Sequence, residues 1–200
     1  MTMTTRSARW MILPVAAMSL SACGINSVPT KEEAAKAKWA DVQAAYQRRS
    51  DLIPNLVETV KGAAGMEKAT LDSVIQARAS ATQVQLNADD LSDPAKVEAF
   101  RQAQGNVSSA LGRLLVVSEQ YPQLKSQDRY ADLMTSLDST ETKINTAIRD
   151  YNGAVQDYNT TIRTFPDIIG AKIVHGAEPL KPFEAVTPNA NVAPKVDFGQ

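Results

Sequence analysis

The side chains that could carry out chemistry in this 200-residue chain are few. It has one cysteine, Cys23, and one histidine, His175, at opposite ends of the sequence. A serine or cysteine nucleophile usually needs a positioned histidine, and a di-iron site in a helical bundle needs two Glu-x-x-His motifs. A paired-carboxylate hydrolase among the 22 acidic residues stays open, although a narrow bundle offers a poor cleft for one. We therefore predict no enzymatic activity, no metal and no cofactor.

The first 23 residues have the pattern of a secretion signal that ends in a lipid attachment site. Arg6 and Arg9 give a positive start, and the apolar stretch 10–20 follows, too short for the roughly 20 residues that span a hydrocarbon core. Leu-Ser-Ala-Cys, ending at Cys23, resembles a bacterial lipobox, whose cysteine thiol receives a diacylglyceryl group before the chain is cleaved there. The alternative is an uncleaved anchor helix in which Cys23 is a buried small hydrophobe.

Lipidation would place the chain on the bacterial membrane, on its periplasmic or extracytoplasmic side. Two or three acyl chains, such as palmitate, anchor a protein stably to membrane lipid. Gly24 after the cysteine is compatible with outer-membrane delivery, by resemblance to enterobacterial sorting rules. The predicted order is a signal peptide (1–22), an anchor linker (23–30), a helical bundle (31–165) and a Pro/Asn-rich tail that packs partly on the bundle (166–200).

Four segments show apolar residues at alternating steps of three and four, which is typical of helices that bury one face. The first predicted helix begins at Lys31 and is interrupted by Gly62 and Gly65, and the other three cover approximately 66–85, 94–120 and 127–164. Thr30 and Glu33 have capping-box spacing at the first helix, and Pro54 should bend it. Asp93 and Pro94 can begin the third helix. Because short connections favour antiparallel neighbours, we predict an all-α fold, an antiparallel up-down bundle of about four long helices with an irregular C-terminal tail.

Polar residues interrupt the apolar stripes of the first and fourth helices at similar heights if these helices are antiparallel. Arg49 stands within the first stripe and Glu141 within the fourth. A buried charge must be paired, so we predict an Arg49–Glu141 contact. Such layers often specify register more than they stabilise. The whole predicted polar layer consists of Arg48, Arg49, Asp51, Asn55, Glu141 and Arg149.

Two further features have simpler interpretations than a functional one. His175 could bind a metal or respond to pH, but we expect a solvated tail residue. The Tyr-Asn pairs at 151–152 and 158–159 could form a recognition face. We expect them instead to belong to a core stripe with polar neighbours.

Two long segments resemble the LemA family. They are YQRRSDLIPNLVETVKG, residues 46–62, and YPQLKSQDRYADLMTSLDSTETKINTAIRDYNGAVQDYNTTIRTFP, residues 121–166. They stand in family order and, together, span most of the mature chain. The resemblance implies a helical-bundle domain, membrane association and no enzymatic activity. One group that resembles this family works in magnetosome membrane biogenesis, which implies a role in membrane organisation.

The sequence departs from the common family pattern in two places. Many relatives carry a membrane-spanning N-terminal helix followed by a Tyr-Asn segment, where this chain has a lipobox and NSVPTKEEA. A His-Glu pair is frequent after the glycine-containing turn, and Met66-Glu67 stands there in this chain. The first departure changes the anchor, and the second removes a reason to place a metal at the turn.

Charge and periodicity narrow the class of function. The 21 basic and 22 acidic residues nearly cancel, whereas nucleic-acid binding needs a clustered basic surface. We expect a membrane-anchored, non-catalytic interaction or scaffold module of the cell envelope with an unidentified protein partner. The alternative is direct membrane shaping, which needs a basic or amphipathic lipid-facing surface. An oligomer also stays open, because heptad stripes serve an internal bundle and an intermolecular coiled coil equally well.

Overall fold

A computed structural model describes residues 4–62 and 67–183, except for the side chains of residues 4–24 and of Lys125. Within these ranges the chain is helical and contains no strand. The helices are α1 (Thr4–Lys61), α2 (Lys68–Gln83), α3 (Pro94–Ser118), α4 (Pro122–Lys125), α5 (Asp128–Thr161) and α6 (Asp167–Gly170). A 3-10 turn covers Ala88–Asp90, and a π-helical turn covers Ala171–His175. The predicted all-helical class is confirmed, with two short helices that the periodicity did not predict.

The chain divides into two compact units. Unit 1 comprises Met1–Ala45, Ala88–Asp93 and Lys143–Pro182. Unit 2 comprises Tyr46–Asn87, Pro94–Thr142 and Phe183–Gln200. Both long helices, α1 and α5, contribute residues to each unit.

Unit 2 is built around an apolar core. Residues from α1, α2, α3, α4 and α5 meet there, and the alternating three- and four-residue spacing of each stripe puts its members on one helix face. Full burial of one such aliphatic side chain contributes roughly 1.5–3 kcal/mol. The largest core aliphatics and the aromatic ring that packs with them are Ile53, Leu56, Leu71, Leu111, Leu114, Leu124, Tyr130 and Leu137.

In unit 2, α1 continues through Pro54 because another helix satisfies the carbonyl that proline leaves free. Pro54 has no N–H, so the Ser50 carbonyl four residues earlier lacks its helical donor. The Arg78 Nε of α2 donates to this oxygen at 2.8 Å. The proline therefore creates an attachment point for α2.

In unit 1, α1 and α5 pair in opposite order along their lengths. The Trp39 and Tyr151 rings lie 5.3 Å apart between centroids. Further towards the start of α1, Lys31 Nζ lies 3.2 Å from Asp157 Oδ2. Because the earlier residue of α1 meets the later residue of α5, these two segments run antiparallel within the unit.

The start of α1 differs from the sequence-based prediction. The helix continues through Pro29, and the Thr30 hydroxyl donates to the Asn26 carbonyl at 2.6 Å. The capping box predicted from Thr30 and Glu33 is therefore wrong, because Thr30 lies inside the helix. Val28 is fully buried, so packing of the preceding turn outweighs the local start signal.

Candidate functional site

The predicted lipid attachment site falls at the edge of what the structure describes. Cys23 lies within the range of α1, but its side chain is outside the described residues. Lipidation and the predicted domain boundaries therefore stay predictions. No helix in the described ranges is both long and apolar enough to cross a membrane.

The predicted Arg49–Glu141 pair is present in unit 2, within a larger cluster. Arg49 is 2% exposed. Its Nη1 donates to Glu141 Oε1 at 3.0 Å and to Ser108 Oγ at 2.9 Å. Its Nη2 donates to the Oε1 and the backbone oxygen of Gln104, at 2.7 and 3.2 Å. The buried guanidinium thus has four hydrogen bonds, which offset the loss of its hydration. We call Arg49, Gln104, Ser108 and Glu141 the arginine cluster.

Sequence reasoning missed Gln104 and Ser108, the two α3 members of the arginine cluster. A signal was present, since Phe100 and Val107 are both buried members of the α3 stripe. Gln104 stands four residues after Phe100 and three residues before Val107, so it continues the spacing of the apolar stripe. A polar residue inside an apolar stripe predicts a buried partner, as it did for Arg49.

An aromatic ring completes the surroundings of the arginine. The guanidinium carbon of Arg49 lies 5.0 Å from the centroid of the Tyr46 ring, within the range of a cation–π contact. The pKa of Tyr46 is raised to about 12, mainly by burial. The charge of Arg49 lowers this pKa, and the charge of Glu141 raises it. The phenol is therefore neutral at ordinary pH.

Four residues predicted for the polar layer lie outside the arginine cluster, and this part of the prediction is wrong. Arg48, Asp51, Asn55 and Arg149 are all exposed. A helix turns by about 100° per residue, which rotates Arg48 and Asp51 away from the face that carries Arg49. Asp51 instead accepts a hydrogen bond from Gln47 Nε2 at 2.7 Å on the surface. Proximity in sequence was mistaken for a shared helix face.

The chemistry of the arginine cluster suits a structural role. A cation surrounded by amide, hydroxyl and carboxylate oxygens holds three helices in register, and Ser108 Oγ also donates to the Gln104 carbonyl at 3.3 Å. Activation of this hydroxyl as a nucleophile would need an adjacent base. Among the described residues, no group of three or more His, Cys, Asp or Glu side chains could hold a metal ion.

In unit 1, the Tyr-Asn repeat attaches the segment that follows the π-helical turn. Tyr151 and Tyr158 are buried, as predicted for a core stripe. Asn159 Nδ2 donates to the Leu180 carbonyl at 2.8 Å, and its Oδ1 accepts from the Leu180 N–H at 2.9 Å. The Tyr151 hydroxyl donates to the Lys181 carbonyl at 2.9 Å. The repeat therefore binds backbone of the same chain.

His175 has a structural contact despite its exposure. Its Nε2 lies 2.8 Å from the Ile25 carbonyl oxygen, which Pro29 leaves without a helical donor. The nitrogen donates when the ring carries its proton there. His175 is exposed, as expected for a solvated residue, but the sequence did not predict this contact.

A shallow cleft beside His175 contains charged groups of unit 1, including Glu178. Lys36 Nζ lies 2.9 Å from Glu32 Oε1 and 3.4 Å from Asp89 Oδ1. The hydrogen bond to Glu32 raises the pKa of Lys36, while burial raises that of Tyr158, which also lines the cleft. The carboxylates of Glu32 and Asp89 therefore form ion pairs with Lys36, and this arrangement is typical of ion pairing rather than of acid–base catalysis.

Several known proteins are similar to this chain. Magnetosome protein MamQ 2 of Paramagnetospirillum magneticum is 32% identical over 142 residues, 63% of this chain and 52% of that protein. Magnetosome protein MamQ of Magnetospirillum gryphiswaldense is 28% identical over 157 residues, 70% of this chain and 58% of that protein. Protein LemA of Metamycoplasma hominis is 27% identical over 124 residues, with coverages of 62% and 52%. The chain spans about half the length of the curated relatives it matches.

The match to a whole family is broader than any of these pairwise similarities. The sequence model of the LemA family matches residues 38–198. This range contains both segments whose motifs resemble the family, together with α2 and α3 between them. The chain therefore belongs to the LemA family.

Proposed function

We propose that this chain is a lipid-anchored, non-catalytic LemA-family module that acts as an interaction or scaffold protein of the bacterial envelope. The observation that carries the proposal is the single cysteine, which ends a lipobox-like motif and lies within α1, a few residues before the packed part of that helix. Val28, only five residues later, is fully buried. Acyl chains on Cys23 would hold unit 1 at the extracytoplasmic face, with no long linker to separate it from the lipid.

The polar groups of the described residues support a non-catalytic role. The buried Arg49 is engaged by four hydrogen bonds, and the buried tyrosines and Asn159 attach the end of the described chain. These contacts stabilise one conformation rather than present a reactive group to a substrate. The names of two relatives assign them to the magnetosome. We propose an assembly role at the bacterial envelope for this chain.

Metabolic labelling with an alkyne analogue of palmitate tests the anchor. The wild-type chain should incorporate the label, and mass spectrometry of its first peptide should show an acylated Cys23 at the new N-terminus. Cys23→Ser should abolish the label and leave the precursor uncleaved. The double variant S7C/C23S keeps one thiol away from the lipobox and should also remain unlabelled. An unmodified Cys23 in the wild-type chain would refute the anchor.

Crosslinking in intact cells tests the scaffold role. The lipidated, tagged chain is captured from membranes after crosslinking, and we expect the same partner or the same oligomer in independent preparations. Cys23→Ser serves as a matched control, because it retains the folded domain but lacks the acyl chains. Capture of monomers alone would contradict the scaffold role while leaving the anchor intact.

Direct membrane shaping is the second candidate, and one observation favours it. Unit 1 exposes large apolar side chains between residues 165 and 174. Electron microscopy of vesicles densely covered with the lipidated chain separates the two functions. A scaffold should leave the vesicles spherical, which is the result that we expect. Tubes or constricted vesicles would instead establish shaping.

A further inference from the structure

Exposed apolar side chains concentrate at one place in unit 1. Within the described ranges, seven large apolar residues are exposed. Five of them belong to unit 1, namely Ile25 and four residues between 165 and 174. We call Phe165, Ile169, Ile173 and Val174 the apolar turn; their side chains are exposed by 74%, 47%, 79% and 58%. Four large exposed apolar residues within ten consecutive positions make this segment a candidate interaction site.

The backbone of the apolar turn shows that this exposure is specific. Gly170 and Ala171 are buried, whereas Ile169 and Ile173 are exposed to solvent. The larger spacing of a π-helical turn places residues four to five apart on the same side, so Val174 joins Ile173 on the face of Ile169. The segment thus buries two small residues and exposes Ile169, Ile173 and Val174, with Ile168 half-buried, which differs from a helix that only packs on a core.

Two contacts hold the apolar turn beside the start of the packed chain. Ser27 Oγ donates to Asp167 Oδ1 at 2.5 Å. His175 Nε2 lies 2.8 Å from the Ile25 carbonyl oxygen. Cys23 is only two residues before Ile25, a distance of at most about 7 Å even in a fully extended chain. The position of the turn is therefore tied to the predicted attachment point.

We propose that the apolar turn inserts into the headgroup–acyl boundary of the leaflet that holds the acyl chains of Cys23. This inference rests on the proposed lipid anchor. Apolar faces of interfacial segments lie about 5–10 Å deep in this boundary, which the short connection to Cys23 permits. Lys172 is exposed within the same segment, so its stem can lie along the lipid while its ammonium reaches the headgroups.

The tether favours lipid over a protein as the occupant. An anchored chain has lipid within reach of Ile25 at all times, whereas a protein partner would have to enter between the turn and the bilayer. Ile25 is itself 41% exposed and continues the apolar surface towards the anchor. The contact would fix the orientation of unit 1 on the bilayer, which attachment at one residue does not do by itself.

A fluorescent probe tests this contact in the full, lipidated chain. Ile173→Cys introduces one free thiol, because acylation blocks Cys23, and an environment-sensitive probe is attached there. The matched control is Val116→Cys, an exposed apolar position of unit 2, at 69% exposure. In vesicles of phosphatidylethanolamine and phosphatidylglycerol, we expect blue-shifted emission at 173. Quenching by lipids with a spin label near the headgroup should be several-fold stronger at 173 than at 116.

The outcomes separate the inference from the anchor on which it rests. Equal, water-like emission at both positions, with acylated Cys23 confirmed by mass spectrometry, would overturn the lipid contact and leave the anchor standing. Blue-shifted emission at 173 that lipid quenchers do not affect would show coverage by protein and would also overturn it. An unmodified Cys23 would refute the proposed anchor, and the inference with it.

Discussion

Units 1 and 2 differ in where they place one charged group and one set of apolar side chains. Unit 2 buries its key charge, Arg49, within hydrogen-bonding distance of three partners, next to a continuous apolar core. Unit 1 keeps ion pairs such as Lys31–Asp157 on its surface and exposes the apolar turn. Both units bury apolar side chains, but the exposed apolar surface that we assign to an external contact lies in unit 1.

Arg49→Ala should have the largest effect. The substitution leaves a cavity and removes four hydrogen bonds, so we expect the free energy of unfolding to fall by about 3 kcal/mol. Urea denaturation measures this loss. Arg48→Ala removes the neighbouring but exposed arginine and should cost less than about 0.5 kcal/mol. Equal effects of the two substitutions would show that the arginine cluster does not stabilise unit 2.

Asn159→Ala should have the next largest effect, in unit 1. It leaves the N–H and carbonyl of Leu180 without their partners, and we expect a loss of about 2 kcal/mol. Amide hydrogen exchange at Leu180 should also become faster. Asn145→Ala, at an exposed position of the same helix, provides the control. Unchanged exchange at Leu180 would contradict the role of the Tyr-Asn repeat in holding this segment.

Glu141→Ala should have a smaller effect than Arg49→Ala. The carboxylate side chain is 42% exposed, so solvent screens its attraction, and Arg49 keeps Gln104 and Ser108 as partners. We expect a loss of about 1 kcal/mol in urea denaturation. Arg149→Ala, also on α5 and exposed, should change stability by less than half as much. If Glu141→Ala left both stability and helix packing untouched, the carboxylate would have no part in the cluster.

Tyr46→Phe should change how stability depends on pH. Burial raises the pKa of Tyr46 from 10.0 to about 12, so its contribution to stability is complete below pH 10 and is lost as pH rises through about 12. Without the phenol, the free energy of unfolding should fall less steeply between these values. Burial also raises the pKa values of Tyr151 and Tyr158, so the variant should keep part of this dependence of stability on pH. Thermal melts across this range measure it, and identical profiles would contradict the assignment.

Lys31→Ala should have the smallest effect. The two partners of the Lys31–Asp157 pair are 44% and 63% exposed, and exposed pairs of this kind contribute less than about 0.5 kcal/mol. Thermal denaturation in low and high salt should give nearly the same midpoint for the variant and the wild-type chain. A loss as large as that of Arg49→Ala would remove the energetic distinction between the units.

The sequence alone predicted the main helices and one buried ion pair. Apolar spacing places side chains on one helix face whatever the partner is, so α2, α3 and α5 end within a few residues of their predicted limits. The interruption of the α1 stripe by Arg49 required a buried partner, and antiparallel order indicated Glu141. These are local properties of periodicity and charge.

Only the tertiary structure decided which surfaces meet. The roles of Gln104 in the arginine cluster and of Asn159 at Leu180 depend on contacts between segments far apart in the chain, which one helix's periodicity does not determine. The same holds for the apolar turn. Its residues lie in the tail that the sequence predicted to pack partly on the bundle, and Ile169 and Ile173 are exposed while Gly170 and Ala171 take the inward positions. Hydrophobicity favours the removal of a side chain from water, but the packing of the backbone determines whether the protein itself buries that side chain.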